Sequence, residues 1–164
     1  MDERVAEQYR KLVQQNFPHS GKLDNPSMFI DTKAEGVSIC GQGAHDFMNI
    51  YIAASDGLIS EVRYLCICDP TANVIVEALC SLAKGKTLGQ AKALTKEQFY
   101  EIIGTQNALV RQKVWGVIEL LNRVITRWDN KDLAKPATEA PRPPRPVVQT
   151  VAEWEESELA DPEW

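Results

Sequence analysis

One stretch, residues 47 to 70, constrains the fold more than any other part of the sequence. Apolar and polar residues alternate along Phe47–Ala53, which is typical of a strand with one buried face. Asp56-Gly57 is a hairpin signal, and Leu58–Ile67 then returns as a partner strand rich in β-branched and aromatic residues. Asp69-Pro70 predicts a helix start, because Asp caps free N–H groups and Pro suits the first helical position.

The rest of the chain predicts helices around this hairpin. The other predicted elements are a first helix at 2–15, weaker strands at 28–32 and 36–40, and helices at 70–84, 95–104 and 108–128. Strands grouped before helices favour an α+β fold over a parallel α/β sheet. We therefore expect a small antiparallel sheet of about three strands packed against several helices, spanning residues 1–130.

The charge and hydropathy pattern excludes several classes of protein. The net charge of −5 argues against general nucleic-acid binding, which needs a basic surface. No apolar stretch is long enough to span a membrane, and no secretory signal is visible at the N-terminus. We expect a reducing cytoplasm, where the four cysteines would be free thiols or metal ligands rather than disulfides. Phosphate-binding loops, zinc-protease helices and nucleophile elbows are missing from the sequence, so we predict that the chain is not an enzyme.

The last part of the sequence differs in composition from the rest. Residues 131–150 are proline-rich and predict an extended linker. Residues 151–164 are acidic but carry Trp154, Leu159 and Trp164. Large apolar side chains in an acidic tail favour a segment that docks on a partner protein. The alternative is a disordered tail that only aids solubility.

Four stretches together resemble a known family. They are YRKLVQQNFPHSGKLDNPS (9–27), HDFMNIYIAASDGLISEVRYLCI (45–67), EALCSLAKGKTLGQA (77–91) and GVIELLNRVI (116–125). Their order and spacing are similar to those of the NifU/IscU/SufU-type scaffolds for iron–sulfur cluster assembly, over residues 5–128. The resemblance implies the IscU-like fold, a cluster or zinc ion as cargo, and partners such as a cysteine desulfurase or the subunits of a redox complex.

The resemblance also implies three cysteine ligands, helped by an Asp and a His. Where the family has Cys-Gly-Asp, this sequence has Ala44-His45-Asp46, and a thiol lies four residues earlier at Cys40. At the strand-to-helix junction, Asp69 stands at the cysteine position and Cys68 lies one residue early.

The third ligand position shows the clearest departure from the family. Lys113-Val114 stands where the resemblance implies His-Cys near the start of the last helix. Neither side chain is a plausible iron ligand.

Two interpretations follow. In the first, a nonstandard metal site forms from rearranged ligands: Cys40, Asp46 and Cys68, with His45, Cys66 and Asp69 as alternates. In the second, the fold carries no metal and serves as a structural or regulatory subunit. Lys113 would then face Asp46 and Asp69 and neutralise them.

The cysteines also have ordinary structural explanations. Cys66 and Cys68 point to the same face if the strand continues through residue 68. Cys66 and Cys80 fit small apolar core positions. Cys68 precedes a helix N-terminus, a position that favours reactive or ligating thiols.

Overall fold

The computed structural model describes residues 1–41 and 43–130, so the predicted linker and tail, with Trp154, Leu159 and Trp164, lie outside the described residues. The elements in chain order are α1 (Glu3–Gln14), β1 (Met28–Asp31), α2 (Thr32–Glu35), β2 (Phe47–Ser55), β3 (Leu58–Ile67), α3 (Pro70–Ala83), α4 (Leu88–Lys92), α5 (Lys96–Ile103) and α6 (Ala108–Asp129). The predicted α+β class, with a small antiparallel sheet and several helices, is confirmed. In this described part, no helix is both long and apolar enough to cross a bilayer.

The sheet is antiparallel and follows chain order, β1-β2-β3. Met28 of β1 pairs with Ile52, and Phe47 of β2 pairs with Ile67 at the far end of β3. A register shift at Ala53 and Ala54 accommodates the turn at Asp56-Gly57, where both turn residues have positive φ. Because β2 and β3 are antiparallel neighbours, the residues just before β2 and just after β3 lie together at one edge of the domain.

The core lies between one face of the sheet and the helices. Ile50 and Ile52 of β2 and Val62 of β3 are completely buried. The middle of α3 packs on them, because the helix is apolar around most of its circumference, and Val76 and Cys80 have no exposed surface. A helix buried over most of its surface holds its N-terminus, and hence the β3–α3 junction, in a fixed place.

Short polar motifs begin the helices. The Asp69 carboxylate accepts a hydrogen bond from the N–H of Ala72 at 2.8 Å, with Pro70 as the first helical residue. At α5 the Gln98 side chain accepts from the N–H of Thr95 at 2.8 Å, as capping-box spacing predicts. The helix starts predicted at these two positions are confirmed.

The predicted strand at 36–40 is wrong. Gly36 has a left-handed conformation and ends α2, a four-residue helix that the sequence did not predict. Val37 and Ile39 then pack against α6 at Gly116: a Cβ placed there would lie 2.5 Å from Ile39 Cδ1 and 3.1 Å from Val37 Cγ1. This segment therefore lies against a helix rather than in the sheet.

Both ends of the outer edge of β3 are covered by loops. The N–H of Ile59 donates to the carbonyl of Lys86, and the N–H of Gly85 donates to the carbonyl of Ile59, both at 2.8 Å. Near the other end, the N–H of Tyr64 donates to the His19 carbonyl at 3.1 Å. Loops before α4 and after α1 thus take up hydrogen bonds that a neighbouring strand would otherwise make.

Candidate functional site: a cysteine pair beside a buried lysine

Two cysteines that are distant in sequence meet where β2 begins and β3 ends. Cys40 and Cys68 form a disulfide with their Cα atoms 5.0 Å apart, within the usual range for this bond. Each sulfur lies 3.4 Å from the carbonyl oxygen of Phe47, the first residue of β2. The expectation of free thiols is wrong for this pair. The two cysteines are 28 residues apart in sequence, and the β2–β3 hairpin between them brings them together.

Lys113 of α6 reaches into the same place. Its side chain is only 8% exposed, and its ammonium donates to the carbonyl of Ile39 and lies 3.5 Å from a carboxylate oxygen of Asp69. Of the two carboxylates that Lys113 was expected to face, the structure shows a contact with Asp69. Because the same Asp69 side chain caps α3, the ammonium and the helix N-terminus share one carboxylate.

Asp46 lies in the loop that leads into β2. Its carboxylate accepts a hydrogen bond from the N–H of Gly43 at 3.2 Å, and a Cβ at Gly41 would lie 2.8 Å from it. The loop therefore folds closely around this carboxylate. An open cavity of about 210 Å³ is lined by Cys40, Gly41 and Asp46. His45, predicted as an alternate ligand, is exposed on the same loop.

Cys66 and Cys80 are free thiols. β3 ends at Ile67, and Cys66 is held by Asn73 of α3, whose side-chain oxygen lies 3.1 Å from its sulfur. Burial, followed by the nearby Asp69 and Glu77 carboxylates, raises the pKa of the Cys66 thiol to about 12. Burial also raises the pKa of Cys80 well above its ordinary value. Both thiols are therefore protonated at neutral pH.

No group of three or more His, Cys, Asp or Glu side chains within residues 1–41 and 43–130 is arranged to hold a metal ion. Two thiols converge, but both sulfurs are engaged in the disulfide. A cation, Lys113, occupies the position at which the family resemblance implies a third ligand. The assignment of Cys40, Asp46 and Cys68 as metal ligands stays a prediction.

A second buried polar group lies beneath α1 and was not predicted from the sequence. Glu77, only 4% exposed, accepts hydrogen bonds from the Tyr64 hydroxyl and from Nδ1 of His19, both at 2.8 Å. Burial, and then the Glu77 carboxylate, raise the pKa of Tyr64 above its usual range. His19 and Glu77 are 58 residues apart, so no local motif marks the pair.

The described part is an α+β domain with a three-stranded antiparallel sheet and six helices, which is consistent with the IscU-like fold. The chain is similar to the crystal structure of a nitrogen-fixing NifU-like protein (N-terminal) from Brucella abortus, with a TM-score of 0.50 and 14% sequence identity. The match covers 79% of this chain and 94% of that one. Neither a protein-family model nor a curated protein matches the sequence. The likeness establishes the fold alone, so the chemistry of the site has to be argued from the residues of this chain.

Proposed function

We propose that this chain acts in iron–sulfur cluster assembly, as a scaffold-like protein that binds and delivers iron or a nascent cluster through Cys40 and Cys68. The observation that carries the proposal is the convergence of these two thiols, in a NifU-like fold, from loops separated by a whole hairpin. Thiolates are soft ligands that suit iron and zinc. The Asp46 carboxylate, next to Cys40 in the cavity lining, supplies a further donor.

The donor set explains why this protein would deliver metal rather than store it. Two thiols and one carboxylate leave a tetrahedral metal without its fourth ligand. Lys113 supplies none, because its ammonium is already engaged with Asp69. We propose that the remaining ligand comes from the protein that supplies or receives the cargo, with a cysteine desulfurase-type enzyme as the expected supplier.

The test is metal content under reducing, oxygen-free conditions. The full chain is purified with dithiothreitol, and iron, zinc and acid-labile sulfide are measured per chain. We expect about one metal ion per chain, lost in Cys40→Ser and in Cys68→Ser. Cys66→Ser is the matched control, because Cys66 is bound to Asn73 and should leave the metal content unchanged. Equal metal in the parent and in the Cys40→Ser, Cys68→Ser double variant would refute the proposal.

A second candidate function is favoured by Lys113. A buried ammonium paired with Asp69 supplies a positive charge where a metal ion would otherwise bind, and such a site satisfies its carboxylate without metal. The chain would then be a metal-free, non-enzymatic subunit of a larger redox assembly in the cytoplasm. Its acidic tail, with Trp154, Leu159 and Trp164, would anchor it to another subunit.

Lys113→Ala and a deletion of the tail test the second candidate. Removing the ammonium should increase metal uptake if it occupies a former ligand position, measured by zinc titration of the reduced protein. Deleting residues 131–164 should release a subunit from its complex, measured by the native size of the complex, but should leave metal uptake unchanged. A truncated chain that stays in the complex would contradict the docking role of the tail.

A further inference from the structure

We propose that Cys40 and Cys68 form a reversible two-electron couple that exchanges disulfides with a dithiol, and that Lys113 keeps the two thiols aligned when they are reduced. Lys113 joins the same two segments as the disulfide. Its ammonium binds the carbonyl of Ile39, the neighbour of Cys40, and the carboxylate of Asp69, the neighbour of Cys68.

This double connection distinguishes the pair from a disulfide that only stabilises the fold. When the S–S bond opens, the buried ammonium still holds the residues next to both cysteines. Moving the two segments apart would leave the ammonium without its carbonyl and its carboxylate in a buried place, which is costly. The reduced thiols therefore stay near each other, and their effective concentration is high. Closure of the bond then costs little chain entropy.

The disulfide can also be reached from solvent on the Cys68 side. Cys68 is half-buried, and Cys40 borders the open cavity between Gly41 and Asp46. By contrast, Cys80 has no exposed surface, and the sulfur of Cys66 is hydrogen-bonded to the side chain of Asn73. Of the four cysteines, Cys40 and Cys68 are the two joined by a disulfide, which is the bond that a substrate thiolate attacks in exchange.

The exchange is balanced with a dithiol as the reductant. A thiolate of the substrate attacks one sulfur of the Cys40–Cys68 bond, which breaks as a mixed disulfide forms. The second substrate thiol then attacks that mixed disulfide. The substrate leaves as a disulfide, and Cys40 and Cys68 gain two electrons and two protons. A monothiol is a poor reductant here, because the freed cysteine, held nearby, attacks the mixed disulfide first and expels it.

The experiment is a redox titration of the full chain in the presence of a metal chelator. The protein is equilibrated with mixtures of reduced and oxidised dithiothreitol, trapped by alkylation and analysed by mass. We expect two alkyl groups to appear together on Cys40 and Cys68, while the far-UV circular dichroism spectrum stays that of the folded protein. Reduced glutathione at the same thiol concentration should open the pair much less. Cys66→Ser is the control and should titrate like the parent.

Two variants test the role of Lys113. Lys113→Met removes the ammonium, and Asp69→Ser removes its carboxylate while retaining a good helix cap. Each should lower the ratio of closed to open pair about tenfold at a fixed dithiothreitol ratio, by lowering the effective concentration. Reduction only after unfolding, or variants that stay folded and titrate like the parent, would overturn the proposal. Since no metal is present, this result is independent of the metal-binding test.

Discussion

Gly116→Ala tests how the segment before Cys40 is held in place. A methyl group at this position of α6 would lie 2.5 Å from Cδ1 of Ile39 and 3.1 Å from Cγ1 of Val37. Ile39 is 1% exposed, so the added methyl group would press on a buried side chain. Overpacking of this kind costs about 1–3 kcal/mol. Replacing glycine inside a helix returns up to about 1 kcal/mol, so we expect a net loss of about 1 kcal/mol.

Gly89→Ala in α4 is the matched control. It is the same substitution in a helix, but nothing lies within 4 Å of the added methyl group. We expect it to raise the free energy of unfolding by about 0.5 kcal/mol. The difference between the two variants, about 1.5 kcal/mol, therefore isolates the contact with Ile39 and Val37.

The assay is urea unfolding of both full-length variants, followed by circular dichroism with the disulfide intact. Equal slopes against urea would show that the unfolded states are comparable. If Gly116→Ala stabilises the protein as much as Gly89→Ala, then α6 does not hold the 37–40 segment, and the packing argument is refuted.

Substitutions at three further residues test other contacts. Glu77→Ala leaves Tyr64 and His19 without their buried acceptor, so it should lower the free energy of unfolding by about 3–5 kcal/mol. Urea unfolding measures this loss, and a value below about 1 kcal/mol would contradict the expectation. Because the pKa of the Cys66 thiol is raised in the folded protein, this thiol stabilises the fold below a pH of about 8.5, and that stabilisation is lost as the pH rises towards 12. Cys66→Ala should therefore reduce the fall in the free energy of unfolding between pH 8 and pH 10, measured by urea unfolding. Thr87→Ala removes the cap of α4 and should cost about 1 kcal/mol, whereas Thr87→Ser should cost little.

The fold was largely readable from the sequence because its signals are local. The alternating strands, the Asp56-Gly57 turn and the Asp69-Pro70 helix start lie within 25 residues of one another, and the structure confirms each of them. The mistaken strand at 36–40 has the apolar alternation of a strand. Its placement depends on the absence of a side chain at Gly116, which no short-range pattern reveals.

The site was readable only in part, because its contacts are long-range. The family resemblance implied ligand positions at Asp69 and at Lys113-Val114, and the structure brings Asp69 and Lys113 into contact. The bond from Lys113 to the Ile39 carbonyl spans 74 residues and involves the backbone, which carries no sequence signal. Similarly, the disulfide follows from the hairpin register rather than from the spacing of the cysteines.

The loop that begins at Lys84 has a further consequence. By bonding to Ile59, this loop protects an edge strand that would otherwise be open to another chain, and exposed edges promote aggregation. The same Lys-Gly-Lys-Thr run contributes to the family resemblance, and its hydrogen bond to a cysteine, from the Lys84 N–H to the Cys80 carbonyl, belongs to the end of α3. Selection against aggregation would therefore favour this run with or without a cluster. The run therefore has a structural reason to be present that does not depend on what the chain binds.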